Sequence, residues 1–287
     1  MAQIIINKQN SELAFRLERF NDLSQFDHIQ RKNYYSIILI NGEKLTLQTD
    51  FSRHQLEGEY MVFISPYQPF MLTSESNCSG ILLNFHPDFF CTYRHQNEIE
   101  TEGILFHNFS GLPFLKVIEG EIFSSLINHI SKEMERNFLA QHEVLVAFLK
   151  VFLIESVRQK KSFDLESLNK HGNRQTELLQ DLVDLINGNF CTMHSPKEYA
   201  EKLCVSSKTL GGVVKKYLNQ TTSNLIVNRI IVEAKRELYL TSKSVQIIAA
   251  SLGYQDEFYF SRLFKKKVGV SPDIYRKSVG FARLEKG

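Results

Sequence analysis

Only four cysteines stand in 287 residues, at Cys78, Cys91, Cys191 and Cys204, and no two of them form a CxxC pair. Their spacings do not suggest zinc, and four thiols in so long a chain do not make a disulfide scaffold, so a reducing compartment is expected. Common catalytic patterns are missing as well. There is no glycine-rich phosphate loop, no GxSxG, and no Cys/His nucleophile by local motif. The first fifteen residues, MAQIIINKQNSELAF, have no cationic region leading into a long apolar run, so no signal peptide is visible. The most apolar stretch, VLVAFLKVFLI at 144–154, contains Lys150 and is too short to span a bilayer. A cytoplasmic protein with no membrane partner is expected.

What is there looks ordinary at first. Apolar residues make up 43% and charged residues 23%, as in soluble globular proteins, and the length suggests two domains. A net charge of +2 hides an asymmetry. Residues 178–287 carry 17 Lys/Arg against 10 Asp/Glu, a net of +7, and residues 1–177 carry 17 against 22, a net of −5. A basic C-terminal third beside an acidic remainder suggests a polyanion-binding module joined to something else.

Residues 34–90 carry short strand-like runs, YYSIILI (34–40), KLTLQTD (44–50), YMVFIS (60–65), FMLTS (70–74) and GILLNF (80–85). Turn signals separate them, among them Asn41-Gly42, Gly58, Pro66 and Gly80, and the spacing predicts a small β-sandwich or barrel. From about 117 the period changes to three and four. Ile122 to Met134 and Leu145 to Leu153 read as two amphipathic helices, broken near Asn137. The polar segment 158–177, with Gly172 as a breaker, reads as a linker between domains 1–157 and 178–287. Everything after it reads helical.

The C-terminal part contains an internal repeat. YAEKLCVSSKTLGGVVKKYLNQT from Tyr199 aligns with IAASLGYQDEFYFSRLFKKKVGVS from Ile248. Ala200 pairs with Ala249 and Leu203 with Leu252. After a one-residue insertion in the second turn, Leu210 pairs with Phe260, Val214 with Phe264, and Lys215-Lys216 with Lys265-Lys266. Each copy is a short helix, a tight turn and a second helix, the helix-turn-helix pattern whose second helix enters the major groove of DNA. The small alanines let two helices cross closely, and Gly253 suits the left-handed backbone of a sharp turn. Leu252, Tyr254, Phe260, Leu263 and Phe264 are core candidates. Arg262 can donate two hydrogen bonds to guanine, and the lysines can neutralise phosphates. Between the copies, TSNLIVNRIIVEAKRELYL (222–240) reads as one helix about 28 Å long, enough to hold two reading helices near one DNA turn apart.

The pattern AxxLGY, FSRLFKK, GVSP and YR, from Ala249 to Arg276, resembles the AraC/XylS family of bacterial transcription regulators. The resemblance covers about residues 178–278. It implies seven helices in two helix-turn-helix units that bind neighbouring major-groove turns of double-stranded DNA. By position it puts base reading on Glu257, Phe258, Tyr259, Ser261 and Arg262 in the second unit, and on Lys208, Thr209, Gly211 and Gly212 in the first. Lys215, Lys216, Lys265 and Lys266 fall where phosphate contacts are expected. The family usually carries Arg where this chain has Gly212. Either the first unit mainly holds the DNA backbone while the second reads sequence, or the two glycines permit a close approach with readout from Lys208 and Thr209.

The β-rich segment resembles the cupin-like sensor domain of many AraC-type regulators, so the expected fold class is α+β, a cupin-like β-barrel with following helices and then an all-α DNA-binding domain. The resemblance implies a small-molecule effector, whose site is not legible, or a domain that only dimerises. It also implies a homodimer, with RNA polymerase as a further partner. The apolar stripe from Ile122 to Leu153 suits a dimer seam, packing on its own barrel, or both. A cupin-type enzyme is the rival. It would need clustered metal ligands, and His54, His86, His95 and His107 form no HxH pair. His86 reads as a surface or hydrogen-bonded histidine, and neither a metal nor another cofactor is expected.

Overall fold

The computed structural model describes residues 2–7, 11–49, 52–92, 104–106, 112–135, 139–169 and 174–279, and of 165–169 the backbone only. Two compact units part between Phe163 and Asp164. In the first, strands β1 (Ala2–Ile6), β2 (Leu13–Phe20), β3 (Tyr35–Thr49), β4 (Ser52–Ile64), β5 (Phe70–Ser74), β6 (Cys78–Phe85) and β7 (Phe114–Lys116) form one antiparallel sheet. The hydrogen-bonded order is β1-β2-β6-β3-β4-β7, with β5 also paired to β3. Helices α1 (Gly120–Met134) and α2 (Gln141–Asn169) follow. The expected β domain with trailing helices is therefore present, and it differs from expectation in detail.

The sheet begins earlier than residue 34. In β2, Phe15 and Leu17 are buried while Arg16 and Glu18 lie nearer solvent, the alternation of a half-buried strand. Asn41-Gly42 is no turn. β3 runs straight through it, and a register shift between Gly42 and Leu45 absorbs the irregularity, with Lys44 in the left-handed region at φ 49°. A Cβ on Gly42 would lie 2.8 Å from the Cys78 Cβ, so the glycine serves close approach to β6. Gly58 lies inside β4, also at positive φ.

Both faces of the sheet are buried. Ile38, Val62 and Leu82 share one face, and Tyr35, Ile37, Phe63, Leu83 and Phe85 the other. The second set joins Phe123, Ile127 and Ile130 of α1 and Leu145, Leu149, Phe152 and Leu153 of α2 in one cluster. All seven helix residues are at most 1% exposed. Burying each such side chain stabilises by about 1.5–3 kcal/mol relative to leaving it in water. These residues of the stripe thus pack inside the chain, while Ile122, Leu126, Met134 and Phe148 of the same two helices are only partly buried.

The segment 158–177 holds the end of α2 and the first residues of the next helix, with Gly172 outside the described residues. The second unit contains α3 (Arg174–Asn189), α4 (Pro196–Lys202), α5 (Ser207–Leu218), α6 (Thr222–Leu240), α7 (Val245–Ser251), α8 (Glu257–Val268) and α9 (Pro272–Val279). These are the seven helices that the resemblance implies. Among the described residues no helix is long and apolar enough to cross a membrane.

Candidate nucleic-acid interface

Local chemistry sets the boundaries of the repeat. Ser195 and Ser244 cap α4 and α7, and Ser206 and Asp256 cap α5 and α8, each side chain accepting from a backbone N–H of the first turn. Glu198 completes a capping box with Ser195. α5 and α8 end on Asn219 and Gly269, both left-handed. The turns correspond too. The Val205 N–H donates to the Ala200 carbonyl at 3.0 Å, and the Tyr254 N–H to Ala249 at 2.9 Å. These pairs are 49 residues apart and the caps at Ser206 and Asp256 are 50 apart, so Gln255 is the inserted residue. The aligned stretches end on Thr221 and Ser271, and the correspondence goes one helix further. Thr221 and Ser271 cap a third helix in each copy, again 50 apart.

The predicted reading residues come together on one stripe of each second helix. Lys208, Thr209, Gly212, Lys215 and Lys216 are exposed on α5. Phe258, Tyr259, Arg262, Lys265 and Lys266 are exposed at the equivalent positions of α8. Opposite them lie buried Leu210, Val213 and Val214, and Phe260 and Phe264. Glu257, Ser261 and Gly211 are half-buried at the edges. Of the expected core, Leu252, Phe260 and Phe264 are buried, whereas Tyr254 and Leu263 are half-buried. Phe258 is 75% exposed and makes no ring contact among the described residues, so within this unit it is not a packing residue.

The cations on the stripe differ in how they are held. The side chains of Lys208, Lys215, Arg262, Lys265 and Lys266 make no hydrogen bond or ion pair among the described residues. Asp256, a candidate partner for Arg262, is occupied as the α8 cap. Lys216 is tethered, donating to Gln175 Oε1 at 2.9 Å and lying 4.9 Å from the Tyr217 ring centroid. Lys267 turns away to Asn224 and Asn228, at 3.2 Å each. Arg229, Tyr275 and Arg276 brace the fold. Arg229 reaches Asn187 and lies over Phe190, Tyr275 packs edge-on against Phe264, and Arg276 donates to the Lys243 carbonyl.

Gly211 and Gly212 occupy the positions of Ser261 and Arg262. A Cβ at either would meet nothing within 4 Å. Packing therefore does not require the glycines, although each weakens the helix. Gly211→Ala and Gly212→Ala are each expected to raise the unfolding free energy by about 1 kcal/mol, read from urea unfolding of the full chain. A fall in stability would show that α5 needs glycine there.

The histidines weighed as metal ligands are placed separately. His86 is 3% exposed, accepts from the Asp88 N–H at 3.2 Å and sits 3.3 Å from its carboxylate. His54 pairs with Ser52 at 3.1 Å, and burial holds it below the usual imidazole range. His95 and His107 lie outside the described residues. Among the described residues no three His, Cys, Asp or Glu side chains gather to hold a metal ion.

Residues 199–278 match the family model described as "Helix-turn-helix domain". The raffinose operon transcriptional regulatory protein RafR of Pediococcus pentosaceus is 33% identical over 107 residues, 37% of this chain and 39% of that protein. The arabinose operon regulatory protein of Escherichia coli K12 is 30% identical over 105 residues, 36% of this chain and 35% of that protein. The match thus spans well under two thirds of either relative. Among solved structures, ToxT from Vibrio cholerae aligns over 93% of this chain and 99% of its own, at 16% identity and a TM-score of 0.41. The repeat, its caps and the match to the domain model make residues 199–278 a helix-turn-helix domain, similar in sequence to the matched parts of the two operon regulators.

Proposed function

We propose that this protein is a cytoplasmic, sequence-specific regulator of transcription, not an enzyme, in which the second helix-turn-helix reads bases and the first mainly holds the DNA. One observation carries this reading. Two equivalent helix stripes are exposed and cationic, and only the second bears long side chains at its centre. On α8, Arg262 donates to guanine O6 and N7, and Phe258 meets a thymine methyl. Glu257, Tyr259 and Ser261 flank them. On α5, Lys208 and Thr209 are left to touch base edges beside the bare Gly211-Gly212 backbone. Lys215, Lys216, Lys265 and Lys266 neutralise phosphates. α6, 19 residues long, spaces the units at about the separation of successive major-groove turns.

The N-terminal unit serves as sensor and as the platform of a homodimer, and RNA polymerase is a further partner of the assembly. A cleft of about 350 Å³ supports the sensing role. It lies among Ile5, Ala14, His86, Phe89, His142 and Leu145, a mostly apolar lining with a few polar groups, as small-molecule sites usually have.

Binding of the full chain to promoter DNA of its own locus and to random duplex, at two salt concentrations, tests the DNA reading. Lys215→Ala/Lys216→Ala is expected to weaken both DNAs alike and to flatten the log–log salt slope by about 2, from roughly 0.9 per phosphate neutralised. An unchanged slope would remove α5 from the DNA backbone. A wild-type protein with no salt dependence would remove the DNA reading altogether.

A further inference from the structure

The two helix-turn-helix units touch through more than the connecting helix. The loop ahead of α4 packs on the turn of the second unit. Gly253 sits so close that a Cβ there would lie 2.2 Å from the Cys191 carbonyl oxygen and 3.0 Å from His194 Cε1. The His194 ring stacks on Tyr254, centroids 4.8 Å apart and planes 29° apart. Tyr254 in turn stacks on Tyr259, at 6.0 Å and 29°. Three rings thus form a column from the loop before the first unit to the outer face of α8. It ends on Tyr259, which is 54% exposed beside Phe258 and Arg262.

The foot of the column is held firmly. The Met193 N–H donates to the Asn189 carbonyl at 2.9 Å, and the buried Tyr199 hydroxyl donates to the Met193 carbonyl at 3.0 Å. Arg229 of α6 lies 3.9 Å over Phe190 at the start of the loop. α3, α4 and α6 all anchor this loop, and its outward-facing ring meets the second unit. A stack between rings contributes beyond area burial, and its geometry is specific. Burial pushes the Tyr254 hydroxyl up to about 12, so the middle ring stays uncharged under physiological conditions.

We propose that His194 is a positioning residue for DNA reading. Its stack on Tyr254 fixes where Tyr259, and with it the first turn of α8, meets the bases. The proposal rests on the reading of α8 as the sequence-reading helix. It makes recognition by the second unit depend on a side chain that belongs to the approach to the first. His194 touches no DNA in this scheme.

Selection of duplexes from a randomised library by the full chain tests it. Arg262→Ala identifies the half-site that α8 reads, as the one whose sequence preference it removes. His194→Ala is expected to lower discrimination in that half-site about three- to tenfold, the size of one aromatic pair, while leaving the salt slope and the other half-site as in wild type. His194→Phe keeps a stacking ring and removes a buried Nε2 that makes no hydrogen bond among the described residues, so it is expected to retain the wild-type preference. A His194→Ala protein that selects the wild-type pattern overturns the proposal. So does loss of preference in both half-sites with a lowered melting temperature, which marks a merely structural role, and so does a His194→Phe protein that behaves like the alanine variant. If wild type enriches no sequence, the reading of α8 fails, and the proposal with it.

Discussion

Gly253→Ala is expected to destabilise the C-terminal unit by roughly 2–5 kcal/mol, a large part of the 5–15 kcal/mol typical of a whole domain. Two costs combine. Gly253 lies at φ 84°, where a side chain is strained. The new methyl would also lie 2.2 Å from the Cys191 carbonyl oxygen, a backbone atom that no rotamer change can move. The equivalent position in the first unit separates the costs. Cys204, also at positive φ (55°), is exposed, so that turn carries a side chain in the same conformation. The carbonyl, more than the dihedral, makes Gly253 irreplaceable. Urea unfolding of the full chain followed by far-UV circular dichroism checks this, with Cys204→Ala as a control expected to change stability by less than about 0.5 kcal/mol. A Gly253→Ala protein as stable as wild type would mean that the loop before α4 does not press on the second turn.

Arg262→Ala is expected to reduce discrimination between the preferred site and one with the α8 half-site altered by about tenfold to a hundredfold, the worth of one bidentate guanine contact. Affinity for random duplex is expected to change little, because the phosphate contacts proposed for Lys265 and Lys266 do not involve this side chain. Competition titration of the full chain against both duplexes gives the two numbers. The position argues for a large effect. Arg262 stands at the centre of the exposed stripe, its side chain makes no hydrogen bond or ion pair among the described residues, and it has a glycine as its counterpart on α5. No second long cation at an equivalent site compensates for its loss. Equal losses on both duplexes would recast Arg262 as a phosphate contact and leave base reading to Phe258 and its neighbours.

The C-terminal unit was the more legible half because its determinants are local. Caps, a turn glycine and apolar residues three and four apart specify a helix-turn-helix within some twenty residues, so the alignment of Ala200 with Ala249 placed even the insertion. The aligned stretches end on Thr221 and Ser271, and the third helices that these residues cap fall outside the repeat because they differ in length and composition. The sheet was harder. β5 was readable as Phe70–Ser74, but Asn41-Gly42 looks the same in sequence whether it turns a hairpin or bulges a long strand. Only pairing with Gly58 and Cys78, from distant strands, decides. At the interface, the family resemblance pointed to the residues of the stripe from Lys208 to Lys216 and from Phe258 to Lys266, and helical period turned Arg262 and the lysines outward. The His194 column did not, because 60 residues separate it from Tyr254 and no short-range pattern records that contact.

The extra residue in the second turn shows where this domain tolerates a change in length. Gln255 lies between two fixed points, the Tyr254 amide bonded to Ala249 and the Asp256 cap, and shifts neither helix face. The same single residue added inside α8 would rotate every following side chain by about 100° around the helix axis. Arg262 and the lysines would then swing off the outer face and Phe264 out of the core. Length variation among relatives should therefore collect in the turns, and the reading helices should differ by substitution alone.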